Sequence, residues 1–312
     1  MKLYLKTTLY LYISKNKMSK RIQSKINRNL TELTDLSTFD PKNVHFDAVE
    51  EKELQQGNKT IKYYNINLGA QHKGGIGELV INIPFFAHSF GVEEFQNEQG
   101  KATNHSVSLS IVDMSNPTDE QNAFVQSFTK MIERIKDHLI SVKKEIKKPT
   151  LDRAELKKFN PMYQSLDDDG NPKNSAWYFA PKLLERKIYN KEDPSDVQIK
   201  IESKFYLDEQ FDEQGEPVEI SPLEFLGKKH FKFRGAVKIE KIYIGSKISL
   251  QCKIYDGVVR QVSTERKRLT VMKPSAPVSE VKSSISAKTT SSAAALLQDE
   301  EEDDAEIELE DD

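Results

Sequence analysis

The chain contains very little of several residue types that define common protein classes. It has one cysteine, Cys252, among 312 residues, and this excludes a disulfide framework. Its six histidines show no metal-ligand spacing with that cysteine. No apolar run approaches the roughly 20 residues that a transmembrane helix requires. The composition therefore predicts an intracellular protein without a metal site or a membrane anchor.

Motifs of catalysis and cofactor binding are also missing. Residues 74–77 (GGIG) lack the lysine and Ser/Thr of a P-loop and precede a strand pattern, so they predict a hairpin turn. Residues 167–169 (DDD) lack the spaced ligands and terminal glutamate of a calcium loop. No GxSxG, HExxH or catalytic Cys/His pairing occurs. We therefore expect a protein that is not an enzyme and that binds no cofactor.

Negative charge is concentrated in one segment. Residues 299–312 (DEEEDDAEIELEDD) hold eleven carboxylates and no basic residue, whereas the whole chain has a net charge of -3. Without these eleven, 46 basic residues face 38 acidic ones, a net charge of +8 over residues 1–298. A basic body with a polyanionic segment suits a protein that binds a polyanion, because the segment can occupy the same surface when the ligand is absent. A purely solubilising role for the segment is the alternative.

Hydrophobic periodicity predicts several strands, one helix and then further strands. Alternating β-rich patterns occur at residues 61–68, 78–83, 105–112, 177–179, 197–206, 230–244 and 247–262. A helical pattern runs from residue 119 to about residue 147, with a capping box at Thr118 and Gln121. Gly245 and Ser246 predict a tight turn between the last two strands. This order lacks βαβ alternation and predicts a mostly β (α+β) fold, an elaborated OB-fold-like antiparallel barrel with one long helix.

Composition also predicts the domain boundaries. Residues 1–43 are polar and weakly patterned, which predicts a flexible N-terminal arm, and Met18 is favoured over Met1 as the start. Residues 44–273 form the predicted OB-fold-like nucleic-acid-binding domain. Residues 274–298 are rich in Ser, Thr, Ala, Pro and Lys and predict a disordered linker to the acidic tail at 299–312.

Basic charge is concentrated between residues 228 and 273, where thirteen lysines and arginines face three acidic residues, a net charge of +10. In residues 247–255 the even positions are apolar and the odd positions polar or cationic, so one strand face is core and the other is basic. Rings interleaved with cations suit single-stranded nucleic acid, since each stacked base contributes about 1–3 kcal/mol while cations follow the phosphates. For each ring the alternative is core packing. The predicted nucleic-acid-binding residues are Trp177, Tyr178, Arg186, Lys187, Lys229, Phe231, Lys232, Arg234, Lys238, Lys241, Tyr243, Lys247, Lys253, Tyr255 and Arg260.

Residues 231–259 (FKFRGAVKIEKIYIGSKISLQCKIYDGVV), followed by a linker and an acidic tail, carry a family resemblance. The chain resembles the single-stranded DNA-binding proteins of nucleocytoplasmic large DNA viruses, the giant-virus and algal-virus group related to the podophage single-stranded DNA-binding proteins. The resemblance implies an OB-fold that coats single-stranded DNA during viral replication, recombination or repair, in a replication factory in the host cytoplasm or nucleus. It also implies that the acidic tail competes for the DNA groove and contacts viral polymerase or helicase-primase.

Two alternatives share these electrostatic features. One is an acidic-tailed virion or interaction protein that does not bind nucleic acid. The other is an RNA-binding or transcription-related factor, because a preference for DNA over RNA depends on contacts to the 2′-OH that a sequence does not reveal. The sequence also leaves open whether the chain forms a homo-oligomer and which rings face the ligand, since a one-residue slip in register exchanges the two faces of a strand.

Overall fold

The computed structural model describes residues 25–56, 59–97, 100–113, 116–189, 197–227 and 229–262. The chain divides into two units, Met1–Val262 and Ser263–Asp312, and all of the described residues belong to the first. The predicted linker at 274–298 and the acidic tail at 299–312 lie outside the described residues.

Strands dominate the part of the chain that the structure describes, which confirms the mostly β (α+β) prediction. Among the described residues there is one α-helix, α1 (Asp119–Ser141), and short 3-10 turns occur at Pro41–Asn43, Glu155–Lys158 and Pro222–Phe225. The strands are β1 (Asn27–Thr34), β2 (Val44–Phe46), β3 (Glu50–Gln56), β4 (Lys59–His72), β5 (Gly75–Gln96), β6 (Ala102–Val112), β7 (Met162–Tyr163), β8 (Trp177–Phe179), β9 (Lys182–Leu183), β10 (Glu185–Tyr189), β11 (Val197–Ile201), β12 (Lys204–Phe211), β13 (Pro217–Ile220), β14 (Phe231–Ile244) and β15 (Ile248–Gln261).

The strand pairings form a closed circuit. β5 pairs with β6, β6 with β9, β9 with β15, β15 with β14, and β14 returns to β5. The second half of β14 pairs instead with β4, which also forms a hairpin with β5. Other strands extend this circuit: β1 lies beside β5, and β2 and β3 lie beside β4. β12 lies beside β15 with β13 on its other side, and β8 lies beside β6 with β7 on its other side. β10 and β11 form a separate two-stranded sheet.

The core is formed by apolar residues that alternate along these strands. On β14, Phe231, Phe233 and Val237 are fully buried, as is Ile254 on β15. The ring of Phe231 packs against that of Phe225 at a centroid distance of 4.4 Å. The predicted hairpin between the two strands is confirmed, with Ile244 opposite Ile248 across the turn. This register leaves the intervening polar positions on the outer face.

Helix α1 covers part of the sheet with its apolar stripe, as its periodicity predicts. The capping box at Thr118 and Gln121 is present, and Phe128 packs against Phe179 of β8 at 5.7 Å. The helix ends at Ser141, earlier than the predicted residue 147, because the chain continues in successive turns that bury Ile146. Within the described residues, no helix combines the length and apolar character needed to cross a membrane.

The predicted flexible arm at 1–43 is wrong for the segment that forms β1. Asn27–Thr34 pairs in parallel with β5, although little of its side-chain surface is buried. Backbone pairing therefore holds β1, together with a hydrogen bond that the hydroxyl of Thr31 donates to Oε2 of Glu78 at 2.8 Å. Glycine makes the close approach possible. A Cβ added to Gly77 would lie 2.2 Å from the carbonyl oxygen of Leu30. The hairpin turn predicted from residues 74–77 is confirmed, and the same glycines leave room for β1.

The strand predicted at residues 197–206 is two strands in different sheets. The break falls at Ser203, whose hydroxyl donates to the carbonyl oxygen of Ile254 at 2.6 Å and accepts from the backbone N–H of Leu184 at 2.7 Å. These bonds fix the segment between β11 and β12 to β15. The alternating sequence pattern contains no sign of this break, because it depends on a contact with a distant strand.

Candidate nucleic-acid interface

The outer face of the β14–β15 hairpin carries cations at two places. The register sets Lys232 opposite Arg260 near one end and Lys238 opposite Lys253 further along. Between these two pairs, Ala236 lies opposite Asp256. The hairpin therefore has two separate basic regions with a small residue and a carboxylate between them.

The region around Lys238 and Lys253 is neutralised by carboxylates. Lys238 Nζ lies 2.6 Å from Oε1 of Glu78, and Lys253 Nζ lies 3.2 Å from Oε2 of Glu240. Burial raises the pKa of Glu240, but Lys253 and the neighbouring lysines outweigh it and hold that pKa below its ordinary value. Because each lysine already has a partly buried counter-charge, these pairs are structural and offer little to a phosphate.

The other basic region continues into a row of rings across the sheet. Residues directly opposite each other on neighbouring strands lie on the same face. Following these partners from β15 through β14, β5, β6 and β8 to β7 gives the row Arg260, Lys232, His88, Ser110, Tyr178 and Tyr163. Cations therefore occupy one end of the row and tyrosines the other.

Exposed rings fill the space beside this row. Phe90 is 40% exposed and contacts His88 edge-on at 5.3 Å, Tyr178 at 6.2 Å and His230 at 5.9 Å. The guanidinium groups of Arg234 and Arg260 lie over the ring of Phe86, at 4.8 and 4.6 Å from its centroid. We call this surface the basic aromatic face; it consists of Phe86, His88, Phe90, Tyr163, Tyr178, His230, Lys232, Arg234 and Arg260.

Local electrostatics set the charges on the basic aromatic face. Nε2 of His88 lies 3.2 Å from Nδ1 of His230. Burial, followed by the charges of His230 and Lys232, lowers the pKa of His88. A lowered pKa leaves its ring neutral at pH 7, so it presents an uncharged stacking surface.

Arg260 forms an ion pair with Asp208, whose Oδ2 accepts from Nε of Arg260 at 2.8 Å and from its Nη2 at 2.5 Å.

The structure brings together only part of the predicted set. Tyr178, Lys232, Arg234 and Arg260 lie on the basic aromatic face. Lys229 precedes β14, and its Nζ donates to the carbonyl oxygen of Glu224 at 2.7 Å. Phe231 was predicted to stack on bases, and this is wrong: its ring is fully buried against Phe225, because its position on β14 points into the core.

The other predicted residues lie elsewhere. Tyr243 packs near Tyr63 at 5.4 Å, toward the far end of β14, and Lys241 lies on the same stretch. Lys247 is in the hairpin turn, and Tyr255 lies on β15 at a break in the register. Trp177 packs against the core. Arg186 and Lys187 lie on β10 in the separate sheet, where Arg186 forms an ion pair with Glu202.

Five residues of the basic aromatic face were not among the predicted set: Phe86, His88, Phe90, Tyr163 and His230. A signal for three of them was present in residues 84–90 (PFFAHSF), where Phe86, His88 and Phe90 recur at every second position. Such spacing puts three rings on one face of a strand. Tyr163 and His230 reach the face only through pairings and contacts that the sequence does not specify.

The described residues contain no group of three or more His, Cys, Asp or Glu side chains placed to hold a metal ion.

Fold and surface together define a mostly β chain with a single described helix and one basic, aromatic sheet face. The chain belongs to the family described as protein of unknown function (DUF2738), whose model matches residues 49–305. No curated protein matches the chain.

Proposed function

We propose that this chain is a non-enzymatic protein that binds single-stranded DNA, largely without regard to sequence, on the basic aromatic face. One observation carries the proposal. The row from Arg260 to Tyr163 joins cations and rings across six neighbouring strands on one side of the sheet. Single-stranded nucleic acid needs this combination, since cations attract phosphates and every base has a face that can stack.

The dimensions of the row suit a short length of single strand. Neighbouring strands lie roughly 4.8 Å apart, so six strands span roughly 24 Å. We therefore expect the DNA to cross the β-strands, with its phosphates on Lys232, Arg234 and Arg260. Its bases stack on Phe86, Phe90 and the two tyrosines. A span of this size corresponds to the lower part of the range of about 4–16 nucleotides per OB-fold.

An OB-fold is the finer description of the architecture that we propose. The order β4, β5, β6, α1, β14 and β15 matches three strands, a helix and two strands, as in a five-stranded barrel with a helix after its third strand. The closed circuit of pairings supports this description. In it, β9 bridges β6 to β15, and the remaining strands are elaborations.

The acidic tail at residues 299–312 is proposed to regulate binding. Its eleven carboxylates give it the charge of a short polyanion, so it can compete with DNA for Lys232, Arg234 and Arg260. In the viral setting that the family resemblance implies, the same tail contacts replication partners such as a polymerase or helicase-primase, in a replication factory of the host cell.

Fluorescence titration with oligothymidylate tests the proposal, comparing the full chain with a variant truncated after residue 298. We expect log affinity to fall with log salt at a slope of about -0.7 for each phosphate neutralised, or roughly -2 to -3 for three or four cations. Truncation should tighten binding.

The outcomes separate the alternatives. Absence of binding at low salt would favour an interaction protein that does not bind nucleic acid. A stronger affinity for oligouridylate than for oligothymidylate would favour an RNA-binding factor. Unchanged or weaker binding after truncation would refute competition by the tail and leave DNA binding in place.

A further inference from the structure

A cavity opens on the outer side of the sheet next to the basic aromatic face. It has a volume of about 380 Å³ and lies among β5, β12, β14 and β15. This volume is within the roughly 300–1,000 Å³ that is typical of pockets for small ligands. Its base includes Gly235 and Gly257, which lie opposite each other in the β14–β15 register. A Cβ on Gly257 would point to the core side of the sheet, where it would meet the buried ring of Phe233 at 2.3 Å.

Polar side chains surround the cavity. Asn82 and Asp256 both lie opposite Ala236, one on β5 and the other on β15, so they flank the cavity from two sides. Tyr206 and Arg234 both lie opposite Val258 and complete the polar lining. The cavity therefore offers an amide, a carboxylate, a phenol and a guanidinium to one bound group.

These polar groups are unused in the described part of the protein. The side chains of Asn82, Tyr206 and Asp256 make no hydrogen bond or ion pair with any described residue. The guanidinium of Arg234 lies over the ring of Phe86 and makes no hydrogen bond or ion pair with a described residue. Burial raises the pKa of Asp256. Polar groups that line a cavity and lack protein partners are ready to bind a ligand.

The charges restrict the kind of ligand. Asp256 repels a phosphate, and one carboxylate beside an arginine is a poor metal site. A neutral planar molecule with donors on one edge and acceptors on another matches the lining. Guanine has this pattern: N1–H and the N2 amino group are adjacent donors, and O6 and N7 are adjacent acceptors. Arginine bonded to O6 and N7 is the commonest specific contact between proteins and bases.

We propose that the cavity is a pocket that selects guanine at one position of the bound strand, with Asp256 accepting from N1–H and N2 and Arg234 donating to O6 or N7. This inference rests on the proposed function, because the base comes from DNA on the basic aromatic face. Arg234 connects the two sites, since its guanidinium lies over Phe86 on that face and also lines the cavity. Binding is then tolerant of sequence along the row and selective at the pocket.

Competition between matched oligomers tests the pocket. An oligothymidylate of about 12 nucleotides, within the site sizes of OB-folds, is compared with the same oligomer carrying one central deoxyguanosine or deoxyinosine. The native protein should bind the guanine oligomer about tenfold more tightly than oligothymidylate, at the scale of one good bidentate contact. Inosine, which lacks the N2 amino group, should give an intermediate affinity.

The variant Asp256→Asn should abolish the preference for guanine, because the amide places an N–H group where the base needs an acceptor. It should bind oligothymidylate somewhat more tightly, since a negative charge has been removed beside a basic face. Asp168→Asn is the matched control, because Asp168 is an exposed loop residue away from the cavity lining, and it should keep the tenfold preference. Circular dichroism checks that both variants fold.

Two results distinguish failure of the pocket from failure of the proposed function. If the native protein binds oligothymidylate but shows no preference for guanine, or if Asp256→Asn keeps that preference, the pocket proposal is overturned and DNA binding stands. If the folded native protein binds none of the oligomers at low salt, the proposed function itself is overturned.

Discussion

Replacing Phe90 with alanine separates base stacking from phosphate binding. The ring is 40% exposed and lies among His88, Tyr178 and His230 at the middle of the basic aromatic face. Its side chain carries no charge, so its removal takes away a stacking surface and no phosphate contact. Because it is partly exposed, its loss should cost less stability than the roughly 3–5 kcal/mol typical of a buried phenylalanine.

The size of the effect follows from the energy of one stacked base. Alanine substitution of a stacking ring typically costs about 1–3 kcal/mol. At about 1.4 kcal/mol for each tenfold change, this predicts that Phe90→Ala weakens binding to oligothymidylate by roughly 5-fold to 150-fold. The slope of log affinity against log salt should equal that of the native protein, since the number of neutralised phosphates is the same.

Fluorescence anisotropy over a salt series measures both quantities in one experiment. Leu33→Ala is the control, because Leu33 is a large exposed side chain, 63% exposed, that lies on β1 outside the basic aromatic face. It should bind like the native protein. Native affinity in Phe90→Ala, or an equal loss in both variants, would refute the assignment of this face as a stacking surface.

Three further substitutions test other parts of the account. Phe231→Ala should lower the free energy of unfolding by about 3–5 kcal/mol in urea titration and leave the salt slope unchanged, since its ring is in the core. Asp208→Asn should tighten DNA binding by about threefold at low salt, because an exposed ion pair of less than about 1 kcal/mol then no longer restrains Arg260. Burial and, to a lesser extent, the charge of Arg134 lower the pKa of His138 from 6.5 to about 4. As the pH falls below 6.5, this histidine is therefore protonated in the unfolded chain before it is protonated in the folded protein. The stability that this difference gives above pH 6.5 is lost as the pH falls toward 4. Thermal unfolding of His138→Phe should show a smaller loss over that range, and an unchanged pH profile would contradict the assignment.

Local features of the fold could be predicted because they depend on neighbouring residues in the sequence. The capping box at Thr118 and Gln121 satisfies backbone groups within one turn, and both residues are present in the sequence in the required order. The alternation along β14 and β15 has the same local origin, and it correctly predicted that Ile254 lies in the core and Lys232 faces outward. It did not predict that Lys253 is buried.

Features that depend on long-range pairing could not be predicted. Lys238 was expected to bind phosphate, but it pairs with Glu78, which lies 160 residues away in the sequence. Similarly, residues 1–43 predict a flexible arm because they are polar and weakly patterned, whereas the place of β1 in the sheet depends on its pairing with the distant β5.

The basic aromatic face was predictable in part, because it depends on both local sequence patterns and long-range pairing. The density of cations around Lys232 and Arg234 was apparent in the sequence, and so was the every-second-residue spacing of Phe86, His88 and Phe90. What the sequence could not supply is the register that sets Lys232 beside His88 and joins the two patterns into one surface. A shift of one residue in the register would have moved the side chains of either strand to the opposite face of the sheet.

The salt dependence of oligothymidylate binding by the full chain and by Arg234→Ala tests the central claim most directly. The account predicts binding at low salt with a slope of roughly -2 to -3, and a slope smaller in magnitude by about 0.7 in the variant, because one phosphate contact is lost. Binding that is absent at low salt, or a slope that Arg234→Ala leaves unchanged, would contradict the assignment of single-stranded DNA to the basic aromatic face.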